Sequence, residues 1–332
     1  STVMGIATSI GLGIMQIGGG LNHLFDVPNN NFTKILITIL MVAIFLGSSL
    51  TGLNHGVKWL SNFNIILGAV LLIFILVFGD LKFILESYTL AISDYLQHFI
   101  EYSLRVNPYS GDDSWIQQWT VFYWAWVISW SPFIGGFVAR VSRGRTIREF
   151  VVGVLIIPPL ISFTWIAGFG GTAIKLALNH NDKLVHIVDK DYTVALFELL
   201  SHFPLSEVTS SLAIVLIFIF IVTSADSTTH IVAGMATGGS INPTLKHKVL
   251  WGLLIGAISV AMTIAGGLKS LQTASVITGL PFSIILLLMI FSLMRALKRE
   301  PIHHFKMTSI DDEKDYSISL EEREKQDEQE NQ

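Results

Sequence analysis

Long uncharged stretches alternate with short polar segments along most of this chain. No charged residue occurs at positions 35–53, 63–79 or 115–139. A helix that crosses a membrane needs about 20 mostly apolar residues, so stretches of this kind predict spanning helices. We predict eight spans, at residues 2–20, 35–53, 63–78, 115–139, 150–176, 207–235, 249–265 and 274–297.

Basic residues in the short connections predict the orientation of these spans. The densest cluster, Arg140, Arg143, Arg145 and Arg148, follows the fourth span. Short cytoplasmic connections of membrane proteins are enriched in Lys and Arg. We therefore place this connection in the cytoplasm, and alternation of the spans places the C-terminal tail there as well.

Three segments outside the spans have patterns of their own. Residues 81–106 mix apolar and charged positions as an amphipathic helix does, and we expect that helix outside the cell, on the membrane surface or against another subunit. Residues 179–191 are predicted to form a polar external loop. Residues 300–332 carry blocks of charge without apolar periodicity, which predicts a charged cytoplasmic tail.

Composition strengthens the membrane interpretation. Apolar residues make up 51% of the 332 positions and charged residues only 14%, whereas about 25% of a soluble protein is charged. The net charge of -4 comes from the tail, because the part of the chain before it is slightly basic. The sequence contains no cysteine, which excludes disulfides and thiolate metal sites within it. Since it enters apolar sequence directly after Ser1, we interpret it as the C-terminal two-thirds of a longer inner-membrane protein.

The fourth predicted span carries a stripe of aromatic residues. Steps of three, four, four and three residues separate its members and place them on one helical face: Trp119, Phe122, Trp126, Trp130 and Phe133. A quaternary ammonium group cannot donate a hydrogen bond, but the faces of aromatic rings attract it by about 0.5–2 kcal/mol per ring. The stripe therefore indicates a cation-binding surface. Packing between helices is the alternative interpretation, and the spacing alone does not separate the two.

Hydroxyl groups and one carboxylate occur together in the sixth span. Thr223 and Ser224 are followed by Asp226 and by His230 one turn later. Hydroxyl and carbonyl oxygens are suitable ligands for a small hard cation, and an ionisable residue inside a span is costly unless it has a partner or water. The alternative is that the hydroxyls donate back to their own helix. Asp226 and His230 are candidates for gating or for proton transfer.

Several motifs together resemble those of the betaine/carnitine/choline transporter family. They are FYWAWVISWSPF at 122–133, ARVSRGRTIREF at 139–150, TSADS at 223–227, SIGLG at 9–13 and GVKWLSN at 56–62. The resemblance implies an all-α integral membrane protein with part of an inverted-repeat transporter fold. The eight spans would correspond to spans five to twelve of twelve. Residues 1–80 would hold the last three helices of the first repeat, and residues 107–299 the second five-helix repeat.

The resemblance also assigns the aromatic residues. Trp126 and Trp130 match the substrate-binding aromatics of the family, and Phe122 and Trp124 match residues along the pathway. Val127 stands where the family usually has a further Trp.

The same comparison assigns residues to sodium sites. Thr223 and Ser224, with the carbonyl of Phe220, match the ligands of one site, while Phe133 and Thr2 match residues of the other. Sodium-independent members of the family carry an arginine on the helix that corresponds to residues 1–20, and this segment contains no arginine.

From these features we predict a multi-pass transporter of the cell membrane that takes up a quaternary-ammonium osmolyte, glycine betaine first, by sodium-coupled symport with alternating access. Choline and carnitine are related substrates of the family. A homotrimer is expected, with sodium as the coupling ion, no organic cofactor and no nucleic-acid partner. The alternatives are a proton-coupled choline transporter and a membrane osmosensor that does not transport. An enzyme is not expected, because the spans lack paired carboxylates, a metal-binding His pattern and a nucleophile–base pair.

Overall fold

The protein is α-helical in a computed structural model, which describes residues 1–51, 54–106, 114–142, 144–179, 182–240 and 242–299. These described parts contain no β-strand. The helices of the N-terminal third are α1 (Thr2–Phe25), α2 (Asn31–Thr51), α3 (Asn54–Phe78), α4 (Leu81–Gln97) and α5 (Phe99–Ser103).

The remaining helices include two π-helical segments, Ile116–Val121 and Ala167–Gly171, and one 3-10 turn, Tyr192–Val194. The α-helices are α6 (Phe122–Val141), α7 (Ile147–Leu155), α8 (Ile157–Ile166), α9 (Thr172–Leu178), α10 (Asp182–Lys190), α11 (Ala195–Ser201), α12 (Ser206–Ala236) and α13 (Leu245–Leu297).

The membrane prediction agrees with these helices. Six of the described segments are long and apolar enough to cross a membrane: Thr2–Phe25, Trp59–Phe78, Ile116–Ala139, Ile147–Leu178, Ser206–Ala236 and Leu245–Leu297. The second predicted span corresponds to α2, of which Asn31–Gly47 is a shorter apolar segment. Gly267 interrupts α13 with φ 54° and ψ -133°, so this element holds the seventh and eighth predicted spans. The division into two repeats stays a prediction.

The fifth predicted span is present but is built from several helical pieces: α7 ends at Leu155, Pro158 lies in the first turn of α8, and a π-helical segment follows. The first turn of a helix suits proline best, because proline has no N–H and deeper in a helix its ring clashes with the preceding turn. Two predictions about other segments are wrong in detail. The amphipathic segment 81–106 divides at His98 into α4 and α5. The predicted polar loop contains α10, which buries Leu184.

Helix α1 is the central element of the fold. In its most apolar stretch 67% of residues are buried, compared with 17% for the third span, and it packs against α12, α6 and α2. The core around it is mostly aliphatic and includes Ile10, Ile14, Met41, Phe45 and Ile255. Because most of α1 is enclosed by protein, its polar residues Thr8, Ser9 and Gln16 are buried or partly buried within the helix bundle.

The chain divides into a unit of Ser1–Ser283 and a second unit that begins at Ile284. In the second unit the described residues are helical to Leu297 and mostly exposed. The predicted tail at 300–332 lies outside the described residues.

Candidate functional site

A cavity of about 370 Å³ lies between α1, α6 and α12. Helix α6 contributes Trp126, Val127 and Trp130. Helix α12 contributes Phe220, Ser224 and the aliphatic residues Leu216, Ile217 and Ile221. Helix α1 contributes Ile6, Ser9, Ile10, Leu12, Gly13 and Gln16. The structure thus brings two of the predicted substrate aromatics, Trp126 and Trp130, to one cavity with two predicted sodium-site residues, Phe220 and Ser224.

The two tryptophans in this cavity differ in their hydrogen bonding. The indole N–H of Trp126 donates to the carbonyl oxygen of Gly5 at 3.1 Å and approaches the hydroxyl oxygen of Ser9 at 3.3 Å. These contacts hold the Trp126 ring in one orientation relative to α1. The indole nitrogen of Trp130 is buried and has no hydrogen-bond partner among the described residues.

The other predicted aromatics lie around the cavity rather than in its wall. Phe122 is buried and stacks on Trp126, with ring centroids 5.7 Å apart and planes 2° from parallel. Phe133 is buried beside Trp130, at a centroid distance of 5.8 Å. Both therefore support the indoles from behind. Trp124 lies on the exposed face of α6, outside the cavity wall.

The close approach of α1 to α6 depends on a glycine. A Cβ atom at Gly5 would lie 2.9 Å from the backbone nitrogen of Trp130 and 3.0 Å from the carbonyl carbon of Ser129. Any larger residue would have to push the two helices apart. The hydroxyl of Ser1 also donates to the carbonyl oxygen of Ser129 at 3.0 Å, which places the start of α1, and with it Thr2, beside α6.

The predicted sodium ligands on α12 have mixed environments. The Thr223 hydroxyl lies 3.0 Å from the carbonyl oxygens of Ile219 and Phe220, so it donates to its own helix. Such back-bonding is common for Thr in helices. The Ser224 hydroxyl lines the cavity. An ion bound here would have to compete with Thr223 for the Phe220 carbonyl. Asp226 and His230 are half-buried on α12 and do not line the cavity.

The cavity wall is electrically neutral, since its described residues include no Asp, Glu, Lys or Arg. The polar side chains on the wall are Ser9, Gln16 and Ser224, together with the two indoles. Sequence reasoning missed Ser9 and Gln16. Their signal is a spacing of seven residues on a glycine-rich apolar helix, which places both on one face.

Comparison with known proteins decides the family. The model of the betaine/carnitine/choline family of transporters matches residues 1–302. The chain belongs to this family. The chain is 50% identical over 299 residues to an ectoine/hydroxyectoine transporter of Virgibacillus pantothenticus, covering 90% of this chain and 60% of that protein. It is 43% identical over 301 residues to a glycine betaine transporter of Bacillus subtilis, covering 90% of this chain and 58% of the relative.

A more distant relative is an osmo-independent choline transporter of Acinetobacter baylyi, 36% identical over 306 residues, with 90% of this chain and 58% of that protein covered. The chain thus spans about three-fifths of the length of these relatives, which are named as transporters and not as enzymes. Family membership confirms the resemblance found in the motifs and agrees with an all-α, multi-pass membrane protein.

Proposed function

We propose that this chain forms the substrate-binding part of a transporter that takes up a zwitterionic osmolyte, with glycine betaine or ectoine as its substrate, by sodium-coupled symport. The observation that carries the proposal is the neutral cavity with Trp126 and Trp130 in its wall. Two relatives of this chain are named for these solutes.

The neutral wall favours a zwitterion over a simple cation. A lone charge in an apolar enclosure is costly unless a counter-charge accompanies it. A betaine or ectoine molecule brings its own carboxylate, whereas choline would need an anionic residue that the described wall does not contain. The indole faces supply attraction for the positive end, worth about 2 kcal/mol per ring when desolvated.

Sodium coupling is supported by the position of Ser224 in the cavity wall, with Thr223 and the Phe220 carbonyl on the same turn. Ion and substrate would then stabilise the same closed state, so that downhill ion entry drives accumulation. Proton coupling is the second candidate mechanism, because Asp226 and His230 are half-buried ionisable residues on α12. The exposed apolar side chains of α4 and α5, such as Leu90 and Ile100, support the proposed homotrimer.

Radiolabelled uptake by the full-length protein tests this function. We expect saturable uptake of glycine betaine or ectoine that requires external sodium, with choline a poor competitor. Changing Trp130 to Ala is expected to abolish uptake while the protein still reaches the membrane, and Trp124→Ala on the exposed face of α6 is the matched control. Uptake that ignores sodium but collapses with the proton gradient would select proton coupling, and binding without uptake would select the osmosensor.

A further inference from the structure

The cavity contains one amide side chain to which no role has been assigned. Gln16 of α1 lines the same space as Trp126 and Trp130, and its side chain has no hydrogen-bond partner among the described residues. Ser9, the other polar residue that α1 contributes, is already engaged, since its hydroxyl donates to the Gly5 carbonyl at 3.2 Å and lies 3.3 Å from the Trp126 indole nitrogen. Gln16 is therefore available to a ligand.

The position of Gln16 brings its amide towards the indoles. It lies seven residues after Ser9, about 10.5 Å further along the helix axis at 1.5 Å per residue. Side chains on an α-helix lean towards its N-terminus, and from Gln16 that is the direction in which Ser9 and Trp126 lie. A small solute lying across the indole faces would thus meet the amide at its side or end.

The amide is of little use to a trimethylammonium group. Such a group has no N–H, so the carbonyl oxygen of Gln16 would be left without a donor when the cavity closes around it. Burying an unpaired carbonyl costs free energy. Ectoine is a cyclic amidinium carboxylate whose ring carries two N–H groups, and either can donate to an amide oxygen. A site that pairs a substrate N–H discriminates strongly against analogues without it.

We propose that Gln16 is a specificity-determining residue, whose amide oxygen accepts a hydrogen bond from the ring N–H of a cyclic amidinium carboxylate. The proposal rests on the proposed function and assigns to Gln16 a preference, among zwitterionic solutes, for those that carry N–H donors. Val127 lines the same cavity, and its side chain is smaller than the Trp usual in the family at this position, which leaves more room for a ring.

The test uses the full-length protein, with radiolabelled ectoine and glycine betaine supplied separately. Gln16→Met keeps the length of an unbranched side chain but removes its hydrogen bonding. We expect its KM for ectoine to rise about tenfold, which corresponds to about 1.4 kcal/mol, while the KM for glycine betaine changes less than threefold. Gln97→Met is the matched control, because Gln97 lies on exposed α4 and donates to Ser93 at 2.8 Å.

Membrane levels of each variant are measured by immunoblot, and Gln16→Leu replaces Gln16→Met if the latter does not reach the membrane. If the KM rises equally for both solutes, or changes for neither, the proposal that Gln16 determines specificity is overturned. Uptake by the parent protein is measured first, before any variant is compared. If the parent takes up neither solute, the proposed function is overturned instead.

Discussion

The contact between Gly5 and α6 offers a test of how the cavity is held together. In a Gly5→Ala variant the new Cβ would lie 2.9 Å from the Trp130 backbone nitrogen and must move to at least 3.4 Å for an ordinary contact, a shift of 0.5 Å. Backbone atoms cannot turn away as a side chain can, so the helices must separate. The Trp126 N–H to Gly5 carbonyl distance would then grow from 3.1 Å to about 3.6 Å, beyond hydrogen-bond range.

Gly5→Ala is expected to affect both the stability of the protein and its affinity for the solute. Overpacking costs about 1–3 kcal/mol, and replacing a helical Gly by Ala returns about 1 kcal/mol, so the net loss of stability is modest. Losing the Trp126 hydrogen bond costs about 0.5–1.5 kcal/mol. That loss frees the indole to rotate, and we expect the KM for the transported solute to rise about two- to tenfold. Uptake kinetics and thermal unfolding of the purified protein measure the two effects separately.

Gly135→Ala is the matched control, because Gly135 lies on the same helix α6 and a Cβ there meets no atom within 4 Å. This variant should keep the parent's KM and unfold at the same or a slightly higher temperature. If Gly5→Ala behaves like Gly135→Ala, the close approach of α1 to Trp130 does not exist and the cavity described above loses one of its walls.

Two further predictions concern other parts of the molecule. Thr223→Ala combined with Ser224→Ala should raise the sodium concentration for half-maximal uptake by about tenfold or more, and an unaltered sodium curve would remove both from the ion site. The hydrogen bond from Lys175, helped by the Phe83 backbone N–H, holds the pKa of Asp80 below its ordinary value. The charged carboxylate is therefore favoured in the folded state. Its contribution to stability is fully present above the pKa of Asp80 in the unfolded chain, and it is lost as the pH falls through the lower pKa of the folded state. An NMR titration of Asp80 should show this, with the pKa moving back towards the ordinary value in Lys175→Met, where the Phe83 hydrogen bond remains.

Hydropathy predicted the spans well because the bilayer imposes their length. What it could not show is where a span is interrupted. The π-helical segment at Ala167–Gly171 needs one extra residue per turn, which glycine-rich sequence permits but does not require. The break before α8 did have a signal, since Pro158 and Pro159 suit a helix start better than a helix interior. For α10, apolar positions at helical spacing in residues 182–190 were outweighed by the polar residues around them.

The aromatic half of the candidate site could be predicted because Trp126 and Trp130 are four residues apart on α6 and share a face by spacing alone. The polar half could not, because Gln16 and Ser224 are 208 positions apart in the sequence and meet only through the packing of α1 against α12. Trp124 is assigned only by the resemblance. It is two residues from Trp126 and so lies on a different face of the helix, where the structure leaves it exposed.

The dimensions of the cavity follow from two glycines on α1. Gly5 admits the backbone of Trp130, and Gly13 admits the side chain of Ile221 from α12. They are eight residues apart, about 12 Å along the helix, and the cavity-lining residues Ile6 and Ser9 lie between them. A helix that touches α6 through one glycine and α12 through another must leave a gap where its larger side chains face both neighbours. The neutral cavity is therefore a consequence of how α1 packs, and the solute it accepts depends on the few polar atoms that remain in that gap.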